Sequence, residues 1–176
     1  MNQKIIVVDD FYDIAHMYHK SFFEKVELPK EETTQKISHL LGSSISIVET
    51  FKDIAVENTN NQVTANLNCD WIAVIYLTMP SDCVFKKGMS FYTHKVTKLD
   101  TFPDDYSMQL NGWQTMEDLT KCFDVCNLDD WSEYMNIFVK YNRMVLFRAN
   151  HWHSYGSGFG TELNNSMMYQ KILINV

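Results

Sequence analysis

The sequence predicts an α+β fold in which helices cover an antiparallel sandwich or jelly roll. Three observations carry this. Helix-spaced apolar residues occupy the first 43 positions, short β-rich segments fill the rest, and no repeat, low-complexity tract or linker interrupts them. Lys4 to Val8 is a short β-branched run. Asp9 or Asp10 then caps a helix with Phe11, Ile14, Ala15, Tyr18, Phe22 and Phe23 on one stripe. A second helix starts near Glu31, runs through Ile37, Leu40 and Leu41, and stops at Gly42, which can turn left-handed for want of a Cβ. From Ser44 the pattern is β: Ile45 to Val48, a polar stretch over Asn58 to Asn61, then Trp71 to Thr78. This last segment, WIAVIYLT, is apolar on both faces, with Ile72, Val74 and Tyr76 on one and Trp71, Ala73, Ile75 and Leu77 on the other. It therefore reads as a central strand buried between a second sheet and the N-terminal helices. Met89 to His94 is the next strand. A long insertion over residues 95–130 follows, rich in Asp and aromatics and broken at Pro103 and Gly112. Tyr134 to Tyr141, Met144 to Ala149 and Met168 to Ile174 complete the strands, with Gly156, Gly158 and Gly160 read as a flexible reverse between the final two.

The chain is 176 residues long, below the roughly 250 at which a single core stops growing, so one domain over residues 1–176 is expected: a helical preface (1–43) and a jelly roll (44–176) carrying the 95–130 insertion. With a net charge of −7 and only two arginines, Arg143 and Arg148, there is no basic stripe for a phosphate backbone, and nucleic acid is excluded as a partner. No apolar run approaches the length of about 20 residues that a spanning helix needs, and the opening MNQKIIVVDDF has two acids where a signal peptide would continue its apolar core. The expectation is a cytoplasmic chain without membrane contact. Cys69, Cys83, Cys122 and Cys126 read as reduced thiols and small hydrophobes; the four-residue spacing of Cys122 and Cys126 supplies at most half of a zinc site.

Four segments carry a family resemblance: DWIAVIYLT (Asp70 to Thr78), GMSFYTHK (Gly88 to Lys95), YNRMVLFRANHWHSYGSGFG (Tyr141 to Gly160) and MMYQKILIN (Met167 to Asn175), with the opening IIVVDDFYDIAHMYHKSFF in support. In their order and spacing they resemble uncharacterised 2-oxoglutarate and Fe(II) dependent oxygenase-like proteins, related to prolyl hydroxylases and frequent in phages and marine bacteria. The resemblance implies a double-stranded β-helix, a cupin-like jelly roll whose open end would hold iron and a 2-oxo acid, and host cytoplasm for a phage-encoded protein. Such oxygenases bind Fe(II) through two histidines and one carboxylate on one face of the metal. His153 matches the distal histidine. The proximal His-x-Asp is missing: no histidine lies between His39 and His94, and Thr64 and Asn66, or Asn66 and Asn68, stand in its place. The arginine that would grip the far carboxylate of 2-oxoglutarate is replaced by Met167. Lys171, four residues on and about 13 Å along the strand at roughly 3.3 Å per residue, is a candidate anion anchor elsewhere.

Residues outside that pattern are mostly read as structural. His94 is a structural histidine or, in an unconventional metal set, a partner of His153 and Asp70. Of His151 and His153, flanking Trp152, only His153 is assigned to the pocket, with His151 turned to the other face. His16 and His19 fall on a helix surface, and the acidic doublets Asp104–Asp105 and Asp129–Asp130 face solvent. The function expected from all this is a degenerate oxygenase-like jelly roll with a vestigial pocket (Thr64, Asn66, Asn68, His153, Met167). It would need no cofactor and act as a binding, accessory or structural component. One alternative is an active dioxygenase using Fe(II) and 2-oxoglutarate at the set His153, His94 and Asp70. The other is a cupin-like small-molecule binder with an apolar cavity around Trp71, Tyr76 and Trp152. The aromatics of the insertion, Phe102, Tyr106, Trp113 and Phe123, are expected to anchor a protein partner or a second copy.

Overall fold

The computed structural model describes residues 5–26, 30–57 and 62–176, so Lys4 and the polar stretch Asn58 to Asn61 lie outside it. Among the described residues eight strands, β1 (Ile6–Val8), β2 (Ser46–Ala55), β3 (Trp71–Tyr76), β4 (Gly88–His94), β5 (Trp131–Phe138), β6 (Arg143–Arg148), β7 (His153–Ser154) and β8 (Met167–Asn175), form two sheets. The larger has the order β1-β6-β3-β8-β2, the smaller β5-β4-β7, and every pairing is antiparallel. Strand β3 is central, flanked by β6 and β8, and fully buried. Its alternation divides the interior. Ile72, Val74 and Tyr76 pack with Met89 and Phe91 of β4 and Ile137 of β5 between the sheets. Trp71, Ala73, Ile75 and Leu77 pack on the opposite face against Phe11, Tyr12, Tyr18 and Ile37.

Two N-terminal helices, α1 (Ala15–Lys20) and α2 (Lys30–Leu41), cover that second face. The Tyr12 and Tyr18 rings stack at 3.6 Å, and the Tyr12 hydroxyl donates to Gln170 Oε1 on β8 at 2.7 Å, tying helical layer to sheet. Neither Asp9 nor Asp10 caps α1, which begins at Ala15 after Ile14 with no side-chain cap. Asp9 instead accepts from Arg143 Nε at 2.6 Å and Lys140 Nζ at 2.7 Å, clamping the end of β1 to the start of β6. These two cations, Arg143 first, hold its carboxyl down at about 2. Helix α2 ends as expected at Gly42, with φ of 66°.

The 95–130 insertion folds into two short helices, α3 (Asp105–Asn111) and α4 (Met116–Cys122). Asp104 accepts from Ser107 N, and Thr115 and Asp118 form a reciprocal capping box, so each helix start is satisfied by its own sequence. Leu119, Phe123, Trp131 and Trp152 build a third apolar cluster with Tyr92, on the side of the small sheet away from the large one.

The glycines after β7 are fixed positions and not a flexible reverse. Gly158 has φ of 66°, and a Cβ there would stand 2.3 Å from Val56 O and 2.6 Å from Ala55 O; Gly42 has the same φ but open space around it. Gly42→Ala is therefore expected to cost only the left-handed penalty of about 1–2 kcal/mol. Gly158→Ala adds displacement of β2 backbone and should lower the melting temperature clearly further. Equal losses in the two variants would refute the close approach.

Candidate functional site

His153 opens β7 and is fully buried. Its backbone exchanges both hydrogen bonds with Thr64, N–H to O at 2.9 Å and O to H–N at 2.7 Å, so Thr64 stands directly opposite the imidazole in an antiparallel bridge. The imidazole Nδ1 lies 2.8 Å from His151 O, to which it donates, leaving Nε2 as the acceptor. That Nε2 has no polar partner among the described residues. The imidazole ring as a whole is surrounded by the rings of Phe147, Tyr155 and Phe91, at 4.8, 5.1 and 6.5 Å between centroids. Burial is the main cause that pushes its imidazole down to about 4, with the neighbouring charges of His151 and Lys171 acting the same way.

His151 lies on the same side as His153, contrary to the expectation that the two point apart. Residues two apart in an extended segment share a face. Both rings face Phe91, His151 at 6.2 Å, while Trp152 between them enters the outer aromatic cluster. His151 is buried beside Asp100, and burial lowers its affinity for a proton too.

The remaining candidates disperse. His94 is sandwiched by Phe123 at 4.7 Å and Trp131 at 5.1 Å in the outer cluster, with Nδ1 3.0 Å from the Thr97 hydroxyl. It thus lies on the far side of β4 from Phe91 and His153. Asp70 is exposed just before β3, where its carboxylate accepts from Val176 N at 2.9 Å. The metal set His153, His94 and Asp70 is not assembled, and among the described residues no group of three or more His, Cys, Asp or Glu side chains converges on one point. Cys69, Cys83, Cys122 and Cys126 are all free thiols.

Thr64 is half-buried, Asn66 turns its carbonyl onto Asn68 N at 2.8 Å, and Asn68 is exposed. Met167 is buried in the inter-sheet core, and Lys171 pairs with Asp53 at 3.6 Å while lying over Phe51 at 4.6 Å and Tyr155 at 5.2 Å. A carboxylate therefore already shares its charge. The cavity expected around Trp71, Tyr76 and Trp152 does not form, because these belong to three separate clusters: against the helices, between the sheets, and under the insertion. Of the aromatics assigned to an interface, Phe123 is buried, and Phe102 and Trp113 pack half-buried against the same outer cluster. Only Tyr106 stays exposed, at 72%.

No protein-family model matches the chain, and no curated protein does. Solved structures do. The non-heme alpha ketoglutarate dependent epimerase SnoN from nogalamycin biosynthesis aligns with a TM-score of 0.50 and 10% identity over 98% of this chain and 77% of SnoN. The chain shares its fold with SnoN. HygX from Streptomyces hygroscopicus with nickel and 2-oxoglutarate bound aligns at a TM-score of 0.49 and 8% identity, over 98% of this chain and 82% of HygX. Identities this low speak for the fold alone, so chemistry must be judged on the side chains. For iron they do not fit: two imidazoles lie on one side, no carboxylate among the described residues joins them, and the residue across the bridge from His153 is a threonine. A neutral hydroxyl or amide neither offsets the cation's charge nor donates as an imidazole or carboxylate does. Among the described residues no helix is long and apolar enough to cross a membrane.

Proposed function

We infer that this chain is a degenerate oxygenase on a double-stranded β-helix, acting as a binding, accessory or structural component and not by oxidation. One observation carries the reading: the imidazole matched to the distal iron ligand is sealed among Phe91, Phe147 and Tyr155, opposite a threonine. Tyr155 in turn stacks on Tyr169 at 5.7 Å, so the surroundings of the imidazole are the chain's own rings. Burial holds His153 neutral, and its Nδ1–H is oriented by a carbonyl as in metal-bound histidines. One oriented imidazole remains short of a site. A protein partner belongs to this reading, and Tyr106 and Leu110, 72% and 73% exposed on α3, are side chains available to it.

The test is anaerobic Fe(II) loading followed by elemental analysis, and a succinate assay with 2-oxoglutarate. The expected result is no stoichiometric iron and no succinate, since a single histidine does not hold Fe(II) against water. Micromolar Fe(II) binding that His153→Ala abolishes would overturn the reading and make the chain an Fe(II)- and 2-oxoglutarate-dependent dioxygenase.

A further inference from the structure

A groove of about 850 Å³ opens where β3 begins and β6 ends, beside the last turn of α2. His153 does not line it. Its polar wall is a stacked pair, with the Arg148 guanidinium 4.4 Å from the centroid of the Trp71 ring and the two residues directly opposite across the β3–β6 ladder. Among the described residues Arg148 enters no ion pair. Two side-chain carboxylates line the same groove, and neither pairs with Arg148: Asp70 accepts from Val176 N at 2.9 Å and Asp104 from Ser107 N at 2.8 Å. The indole therefore holds a flat guanidinium whose N–H edge is unspent, a fork whose geometry matches a carboxylate. Asn150 adds an amide beside it, and Ile6, Leu40 and Leu41 supply an apolar wall.

We propose that this groove binds a small organic monocarboxylate with an apolar body, its carboxylate on Arg148 and its body against Ile6, Leu40 and Leu41. The size agrees, since small-molecule sites run from roughly 300 to 1,000 Å³. The charge is set by the surroundings. Arg148 supplies the one attractive charge, while Asp70 and Asp104 leave the lining side chains at net −1 and so oppose a dianion such as a phosphate monoester about twice as strongly as a monoanion. The assignment extends the binding role proposed above but rests on different residues: the iron test reads His153 and this one reads Arg148, so either can fail alone.

The experiment titrates the full chain with 3-phenylpropionate, 3-phenylpropanamide and phenyl phosphate, following indole and arginine side-chain N–H signals by NMR. The acid should bind and shift the Trp71 and Arg148 signals, with the amide and the phosphate at least about tenfold weaker, the scale of one charge-assisted contact. Arg148→Gln should weaken the acid by a similar factor, and Arg148→Lys by less, because lysine keeps the charge and loses the fork. If Arg148→Gln does not fold, Asn150→Asp puts a repelling carboxylate beside Arg148 and should produce the same loss. An acetylated tripeptide ending in leucine, the other source of such a carboxylate, is run alongside. Its binding more tightly than every small acid would assign the groove to a chain terminus and overturn the small-molecule assignment. No binding of the acid in the millimolar range, equal binding of acid and amide, or unchanged affinity in the variant would overturn the site itself.

Discussion

Phe147→Ala is expected to destabilise the fold by about 3–5 kcal/mol, the range for removing a fully buried aromatic from a core. Phe147 lies on β6 in the large sheet, and its ring meets Phe91 of the small sheet edge-on at 5.1 Å and His153 at 4.8 Å. It thus spans the gap between the sheets, and the space it leaves can close only if the sheets approach. Both are held in register by ladders on each side, β6 by β1 and β3, β4 by β5 and β7, so collapse is resisted and the cavity term persists. Urea unfolding at neutral pH should show a lower midpoint with an unchanged slope. A loss below about 1 kcal/mol would mean that this region is loosely filled, which would revive a pocket at His153. The same truncation lets water reach Nε2 and should bring the imidazole back toward its ordinary titration range.

Much of this architecture was legible because alternation along a strand is a hard geometric rule. WIAVIYLT announces a strand with two apolar faces, and such a strand must be central; β3 lies between β6 and β8 with those faces in two different cores. The same rule, applied consistently, would have corrected two site expectations. Trp71 and Tyr76 are an odd number of residues apart on one strand, so they cannot line one cavity, whereas His151 and His153 are two apart and share a side. The insertion was harder. Its helices are one to two turns long, too short for periodicity to register, and only their caps, Asp104 and the Thr115–Asp118 box, mark them in the sequence. That Phe123 packs inward while Tyr106 stays exposed depends on contacts with β4 and β5 residues that no local pattern encodes. The Trp71–Arg148 groove was invisible for the same reason: it exists because residues 77 positions apart in the chain become direct neighbours across a ladder.

Acid should destabilise this protein well before its carboxylates protonate. In the unfolded chain the imidazole of His153 titrates near 6.5, while in the folded state burial holds it down at about 4. Above pH 6.5 both states carry it neutral and it contributes no slope. Between 6.5 and 4 the unfolded state takes up a proton that the native state refuses, so stability falls as pH falls, by roughly 3 kcal/mol across the window for this residue. Below 4 the native state binds the proton as well and the slope from this group ends. His151 and His94 are shifted downward by burial and act in the same direction. Asp9, held at about 2 by Arg143 and Lys140, loses its contribution only as pH falls from the ordinary carboxylate range toward 2, so it enters where the histidine window closes. Urea midpoints measured in steps from pH 7 to 4.5 should therefore decline steeply. His153→Leu, which replaces the buried imidazole by an apolar side chain, should remove the largest single share of that decline and leave the part due to His151 and His94. A variant with the full slope of the parent would show that His153 is not the group kept neutral by the fold, and that its Nε2 has access to water or to a ligand after all.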